Sequence, residues 1–253
     1  MRTLLTLLLA ASVAVAADEA PLENTGAPMH VAFVCAEDEL NAAGLSCSDD
    51  EPCRVFLELS GVESVASRVF LSGNLHTTNT TLSSILLVSE DGGRTWREGA
   101  KRIAFTALDQ IQFVDFEHGW IAGENVQTMA RDPFLLASDD GGKTWRPQPL
   151  LEEGQPGAIQ RFWFESAKAG MLLMDRGAGS RAELYRTTNG GASWELAPGG
   201  GDAAHFPGGS AREAAAAWRL RPDAKTASWQ IEQNRGEAWQ RMAAFATEVT
   251  ICR

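Results

Sequence analysis

The chain has 253 residues, 22 Lys+Arg against 33 Asp+Glu, and 44% hydrophobic and 22% charged residues, the composition of an ordinary globular protein. These figures exclude a membrane bundle, a disordered tail and a collagenous repeat. A net charge of −11 with no concentration of Lys or Arg also argues against nucleic acid as a partner, because phosphate binding needs clustered cations to release counterions.

Met1-Arg2 opens the chain, an apolar run extends from Leu4 to Ala16, and Ala14-Val15-Ala16 stands before Ala17-Asp18-Glu19. Charged, apolar and small-residue parts in that order predict a signal peptide over residues 1–16, cleaved after Ala16. About 13 apolar residues fall short of the roughly 20 needed to cross a bilayer. No second long apolar stretch follows, so the mature protein is expected to be secreted or periplasmic with no membrane span. Residues 17–30 are expected to be a linker.

Export makes the cysteines informative, since Cys35, Cys47, Cys53 and Cys252 form an even set in an oxidising compartment. Of the possible pairings, Cys47 with Cys53 and Cys35 with Cys252 are favoured: a local clip, and a staple from the start of the fold to its end. In the chain-entropy model these contribute about 2 and about 5 kcal/mol respectively. No CxxC or His-x-His pair occurs, which argues against a zinc site and a thioredoxin-like function. No metal or cofactor is expected.

Downstream, short β-rich segments come in sets. Arg54 to Leu59, Arg68 to Gly73 and Ile85 to Ser89 lead into Ser89-Glu90-Asp91-Gly92-Gly93-Arg94-Thr95-Trp96. Gln110 to Asp115, Gly119 to Gly123 and Pro133 to Ser138 lead into Ser138-Asp139-Asp140-Gly141-Gly142-Lys143-Thr144-Trp145. Ile159 to Phe164, Gly170 to Asp175 and Glu183 to Thr187 lead into Thr187-Thr188-Asn189-Gly190-Gly191-Ala192-Ser193-Trp194. The tryptophans are 49 residues apart both times, and a degraded copy, Glu232-x-Asn234-x-Gly236-x-Ala238-Trp239, follows 45 residues later. In each octet the Asp or Asn can accept turn amides, the glycines allow positive φ, and the Trp opens the next strand and buries its ring between sheets. With only one or two short carboxylates per turn, the octets are read as structural, not as calcium sites.

Each unit is therefore a four-stranded meander. Radial packing of such meanders predicts an all-β fold, a β-propeller of four-stranded antiparallel blades with the octet turn between third and fourth strands. Units at about 54–98, 108–148, 158–197 and 205–245 favour four blades, with five possible. Val31 to Val34 and Thr247 to Ile251 are left to close the ring.

The octets resemble the Asp-box (BNR) repeats of sialidase-like β-propellers, over nearly the whole mature chain. Phe113-Val114-Asp115 with Gly119-Trp120 resembles the photosystem II assembly and stability factors built on that repeat. The resemblance implies that residues 31–253 form a single Asp-box propeller domain.

If the box turns occupy one face, the loops joining second to third strands and blade to blade project from the other. That face is the expected binding site, with His76, Asn79, Asn125, Arg131, Asp132, Arg176 and Arg181 as candidate ligand-binding residues. Lys101, Arg102, Glu152, Glu153, Asp202 and His205 are added by the blade-to-blade loops. A sialidase needs an arginine cluster, a Tyr/Glu nucleophile pair and an Asp acid-base, and the only tyrosine, Tyr185, is placed on a third strand away from the mouth. His30, His76, His118 and His205 are dispersed, with no HExxH, and no Gly-x-Ser-x-Gly elbow or phosphate loop appears. No catalytic residue is therefore assigned. The sequence favours a secreted or periplasmic binding or assembly module for a protein or glycan. A glycan-cleaving enzyme and a photosystem II assembly role are the alternatives.

Overall fold

The computed structural model describes residues 20–127, 132–150, 157–177, 182–197, 206 and 217–253. The expected leader over residues 1–16 lies outside them. A short strand β1 (Leu22–Glu23) and a short helix α1 (Glu37–Ala42) precede four antiparallel sheets. Blade 1 is β2 (Cys53–Val65), β3 (Arg68–His76), β4 (Thr81–Ser89) and β5 (Thr95–Glu98). Blade 2 is β6 (Thr106–Phe113), β7 (Gly119–Asn125), β8 (Asp132–Ser138) and β9 (Arg146–Gln148). Blade 3 is β10 (Ala158–Phe164), β11 (Gly170–Asp175), β12 (Glu183–Thr187) and β13 (Glu195–Leu196). Blade 4 shows β14 (Trp218–Asp223), β15 (Ser228–Asn234) and β16 (Trp239–Ala246), and β17 (Glu248–Cys252) ends the chain. This is the expected all-β propeller of four-stranded blades, with box turns between third and fourth strands in blades 1 to 3.

Strand position sets the side-chain pattern. In β2, Val55, Leu57 and Leu59 are buried while Arg54 and Glu58 face out, the alternation of a one-sided strand. The middle strands β3 and β4 are buried nearly throughout, because both their faces meet neighbouring layers. The first strand of each of these blades also carries a bulge, at Leu59/Gly61, Leu108/Gln110 and Ile159/Arg161, which adds local twist.

The box turns hold themselves together. Ser89 Oγ donates to Asp91 Oδ1 at 2.8 Å and accepts the Gly93 amide at 2.8 Å. Asp91 also accepts the Thr95 amide at 2.9 Å and the Thr95 hydroxyl at 2.8 Å. Ser138, Asp140, Gly142 and Thr144 repeat this set. Thr187, Asn189, Gly191 and Ser193 keep it with an amide in place of the carboxylate. Gly142 has φ +82°, and a Cβ there would lie 2.7 Å from the Phe70 ring of blade 1. The fourth copy is different: the chain turns in a tight hairpin between Asn234 and Trp239. Glu232, in the position of the box Ser or Thr, is clamped by Arg219 at 2.6 Å and Arg221 at 3.1 Å.

Adjacent blades join through a repeated aromatic seam. Phe70 stacks on Phe113 at 4.7 Å, and Phe113 meets Trp145 edge-on at 5.8 Å. One blade on, Trp120 stacks on Phe164 at 3.6 Å, and Phe164 meets Trp194 at 5.9 Å. Between blades 4 and 1, Phe245 meets Trp96 edge-on at 5.4 Å. Polar clamps run alongside. Arg68 of blade 1 donates to Gly141 O in the second box, and Trp120 of blade 2 donates to Gly190 O in the third at 3.0 Å. Gln112 of β6 donates to Phe164 O at 2.7 Å and accepts its amide at 2.9 Å, so a side chain imitates a β-bridge between blades 2 and 3.

The ends of the chain tie blade 4 to blade 1. β1 extends β5, β17 extends β2, and Met29 bridges in parallel to Phe245. The disulfides are Cys35 with Cys252 and Cys47 with Cys53, the favoured pairings. Val31 to Val34 does not form the closing strand; the N-terminal pairing residues are Leu22, Glu23 and Met29. Residues 20–30 thus edge blades 1 and 4, and four sheets, with no fifth, are present among the described residues. The box tryptophans differ in burial. Trp96 is 0% exposed under Leu22, its cross-strand partner, whereas Trp145 and Trp194 are partly exposed.

This burial difference predicts that Trp96→Ala costs about 3–5 kcal/mol as a large-to-small core change, and Trp145→Ala less, read by urea unfolding of both variants. The turns also set an acid dependence. Partial desolvation raises the Asp91 carboxyl, but hydrogen bonds from Thr95, Ser89 and Arg94 outweigh it and hold the group at about 2. The Thr144 hydroxyl and amide lower Asp140 likewise. A carboxyl with a depressed folded value stabilises above its unfolded value, near 3.9, and that contribution is lost as pH falls through the folded value. Stability should therefore drop between about pH 4 and pH 2, and the Asp91→Asn/Asp140→Asn variant should show a flatter profile over that window in acid-unfolding titrations.

Candidate loop-face site

With the boxes on one face, the opposite face carries the ends of the second strands and the starts of the third. In blade 1, His76 ends β3 half-buried, its Nδ1 2.8 Å from Thr77 O and its ring 5.8 Å from Phe56. Asn79 is exposed, and the Asn79 and Thr80 amides both donate to Thr77 Oγ1, at 3.3 and 3.2 Å. In blade 2, Asn125 and Asp132 are cross-strand partners at the ends of β7 and β8, and Asn125 Oδ1 accepts the Gln127 amide at 3.1 Å. Arg131 and Arg181 lie outside the described residues, as do Glu152, Glu153, Asp202 and His205. Lys101 is exposed, and Arg102 is held by Glu98 and by Ala32 O at 2.7 Å.

Blade 3 supplies the most ordered chemistry on this face. Arg176, just past β11, donates from Nε to Glu183 Oε2 at 2.7 Å and from Nη2 to Tyr185 Oη at 2.7 Å. The Tyr185 hydroxyl donates to the same Glu183 oxygen at 2.7 Å. Glu183 and Tyr185 are alternate residues of β12 and so share a face. Burial pushes the Tyr185 phenol up, and its hydrogen bond to Glu183 adds to this against the opposing pull of Arg176. The Arg176 hydrogen bond first, then that of Tyr185, lower the Glu183 carboxyl. The cluster therefore holds a protonated phenol beside a carboxylate already neutralised by a guanidinium. A tyrosine nucleophile is activated by a neighbouring carboxylate base, and here that carboxylate is also paired with Arg176.

A cavity of about 510 Å³ opens at the blade 1 end of the same face, lined among others by Phe33, Val34, Asp38, Leu82, Arg102 and Phe105. Helix α1 and residues 32–34 form one wall; Val34 is 79% exposed at its rim. Among the described residues, no group of three or more His, Cys, Asp or Glu is arranged to hold a metal ion, and no helix is long and apolar enough to cross a membrane.

Sequence reasoning missed the partners of Arg176 and the cavity. The alternation Glu183-x-Tyr185 on a strand was a usable signal for the first. α1, which walls the second, falls in a stretch read only for its cysteines.

Several known proteins resemble this chain. The chain is similar to YCF48 bound to D1 peptide, with 16% identity, a TM-score of 0.42 and coverage of 77% of this chain and 59% of that one. YCF48 from Cyanidioschyzon merolae gives 17% identity, a TM-score of 0.39 and coverage of 75% and 57%. The GH74 xyloglucanase from Xanthomonas campestris gives 18%, 0.40, and coverage of 70% and 28%. The chain thus spans less than two thirds of each of these proteins. No curated protein sequence matches it. The family model described as photosynthesis system II assembly factor YCF48 matches residues 76–212, more than half of the sequence, and the chain belongs to that family.

Proposed function

We propose that this protein is a non-catalytic propeller that binds a protein partner on its loop face in an assembly role, after export to the periplasm or the cell exterior. Family membership supports an assembly function, and YCF48 itself is known bound to D1 peptide. The observation that carries the proposal is the state of the reactive groups. Asp91 and Asp140 are spent inside their own turns. Glu183 is neutralised by Arg176 next to a phenol pushed away from ionisation. What the loop face offers instead is fixed polar side chains, Asn125, Asp132 and Arg176, at strand ends, and a cavity of mixed apolar and charged lining at its blade 1 end. Such a surface suits recognition. The even set of four cysteines closed as two disulfides, with the apolar run Leu4 to Ala16, supports export to an oxidising compartment.

A glycan-cleaving reading has one observation in its favour, the direct Tyr185–Glu183 contact. The two readings separate in one pair of assays on the purified mature chain. Quantitative affinity capture from the native cell envelope should enrich a defined partner, and Asn125→Ala with Asp132→Ala should reduce that enrichment about tenfold while leaving the melting temperature within a few degrees. Chromogenic sialosides and polysaccharides should not turn over. Reproducible turnover abolished by Tyr185→Phe or Glu183→Gln would establish the enzyme instead.

A further inference from the structure

A second cavity, of about 330 Å³, lies on the circumference between blades 1 and 2. Its floor is apolar: Leu86 from β4, Leu108 from β6, and Ile121 and Leu136 from β7 and β8. Trp145 and Pro147 of the second box and β9 form one wall. Residues 99–103 form the other, where Ile103 is 40% exposed. Its volume is at the lower end of ligand cavities, which run from roughly 300 to 1,000 Å³. It is separate from the Arg176 cluster and from the α1 cavity, and it extends to the box face at Lys143.

Three features coincide there. Among the described residues the buried Trp145 indole N–H has no hydrogen-bond partner, whereas Trp96, at the same box position, donates to Gly93 O at 3.1 Å. The Trp194 N–H is also unpartnered, so the donor by itself does not single out a site. The other two features do so: the cavity, and a pair of cations at its edge. Lys101 and Lys143 both line it, both are exposed, and neither makes an ion pair among the described residues. They are two of only four lysines in a chain of net charge −11. In a chain of net charge −11, two cations beside an apolar cleft favour an acidic ligand there.

We propose that the cleft between blades 1 and 2 is a docking groove for an extended acidic peptide, whose apolar side chains enter the cavity while aspartate or glutamate residues reach Lys101 and Lys143. Although Lys101 lies on a blade-to-blade loop, the groove uses none of Asn125, Asp132 or Arg176, so it stands or falls separately from the loop-face proposal. Lys143 occupies the box position held by Arg94 and Ala192 in the other two turns, and its side chain takes no part in the turn's hydrogen bonds, so it can be replaced without disturbing the fold.

The test uses the full mature chain and a fluorescein-labelled heptapeptide carrying three leucines and three aspartates, titrated by fluorescence anisotropy. Saturable binding is expected, weakened about tenfold or more by Lys101→Glu/Lys143→Glu and also reduced by Lys101→Gln/Lys143→Ala, with Lys168→Glu as a control that leaves it unchanged. It should weaken as salt rises from 50 to about 300 mM, because the Debye length shrinks below about 10 Å. In a ¹H–¹⁵N spectrum the Trp145 indole signal, assigned through Trp145→Phe, should shift on binding. No saturable binding, equal binding of a heptapeptide with lysine for aspartate, or binding that leaves the Trp145 signal and the lysine variants unaffected would overturn the proposal. Binding of decanoate without binding of the peptide would also overturn it, by making the cleft an amphiphile site.

Discussion

A blade of four short strands cannot bury both its faces alone, so the stability of this molecule depends on how one blade seats on the next. The device is repeated and local. A Phe that ends the first strand of a blade, Phe113 or Phe164, lies between an aromatic of the preceding blade and the Trp of its own box. The ring folds back over the glycine that opens the following strand. A Cβ on Gly119 or Gly170 would come within 2.5 Å of Phe113 or Phe164, so these two positions admit no larger residue without moving the ring. The box turn then presents a carbonyl to the neighbour, taken by Arg68 in one joint and Trp120 in the next. Aromatic contacts of this kind contribute about 0.5–1.5 kcal/mol each beyond the area they bury.

The same arrangement decides what is available for function. Asp91 and Asp140 are consumed as turn acceptors, which removes the carboxylates at the repeated octet position from other chemistry. The opposite face is free to vary because its loops carry none of the seam. It is there that Arg176, Glu183 and Tyr185 interlock, and there that α1 and the N-terminal segment wall a cavity. The chain ends serve the scaffold as well: β1, Met29 and β17 bind blade 1 to blade 4, and Cys35 with Cys252 makes that link covalent.

Much of the scaffold was legible in the sequence because it is written in repeats. Octets at a fixed 49-residue spacing locate the turns, and the strands between them follow from short apolar runs. Cys35 and Cys252, near the two ends of the fold, suggest their own pairing. The features that were not legible depend on contacts between blades. Gln112 reads as an ordinary polar strand residue until its amide is seen on Phe164. The bulges at Leu59, Leu108 and Ile159 have no composition signal, since each inserts a residue of ordinary type. Glu232 sits in a degraded box, and only the cross-strand neighbours Arg219 and Arg221 show that its carboxylate has another use. The candidate site was legible as a face but not as an arrangement. Which loop residues meet is fixed by strand register, and Tyr185 was judged by its distance from the mouth, not by the carboxylate two residues before it.

The central claim, that aromatic seams between blades hold the propeller, is tested most directly by a double-mutant cycle on Trp120 and Phe164, whose rings stack at 3.6 Å across the blade 2 to blade 3 joint. Urea unfolding of the wild type, Trp120→Leu, Phe164→Leu and the double variant gives the coupling between the two rings. A coupling energy of about 0.5–1.5 kcal/mol, in a single transition for the whole chain, is the predicted result. Additive effects, or separate transitions for the two blades, would contradict it.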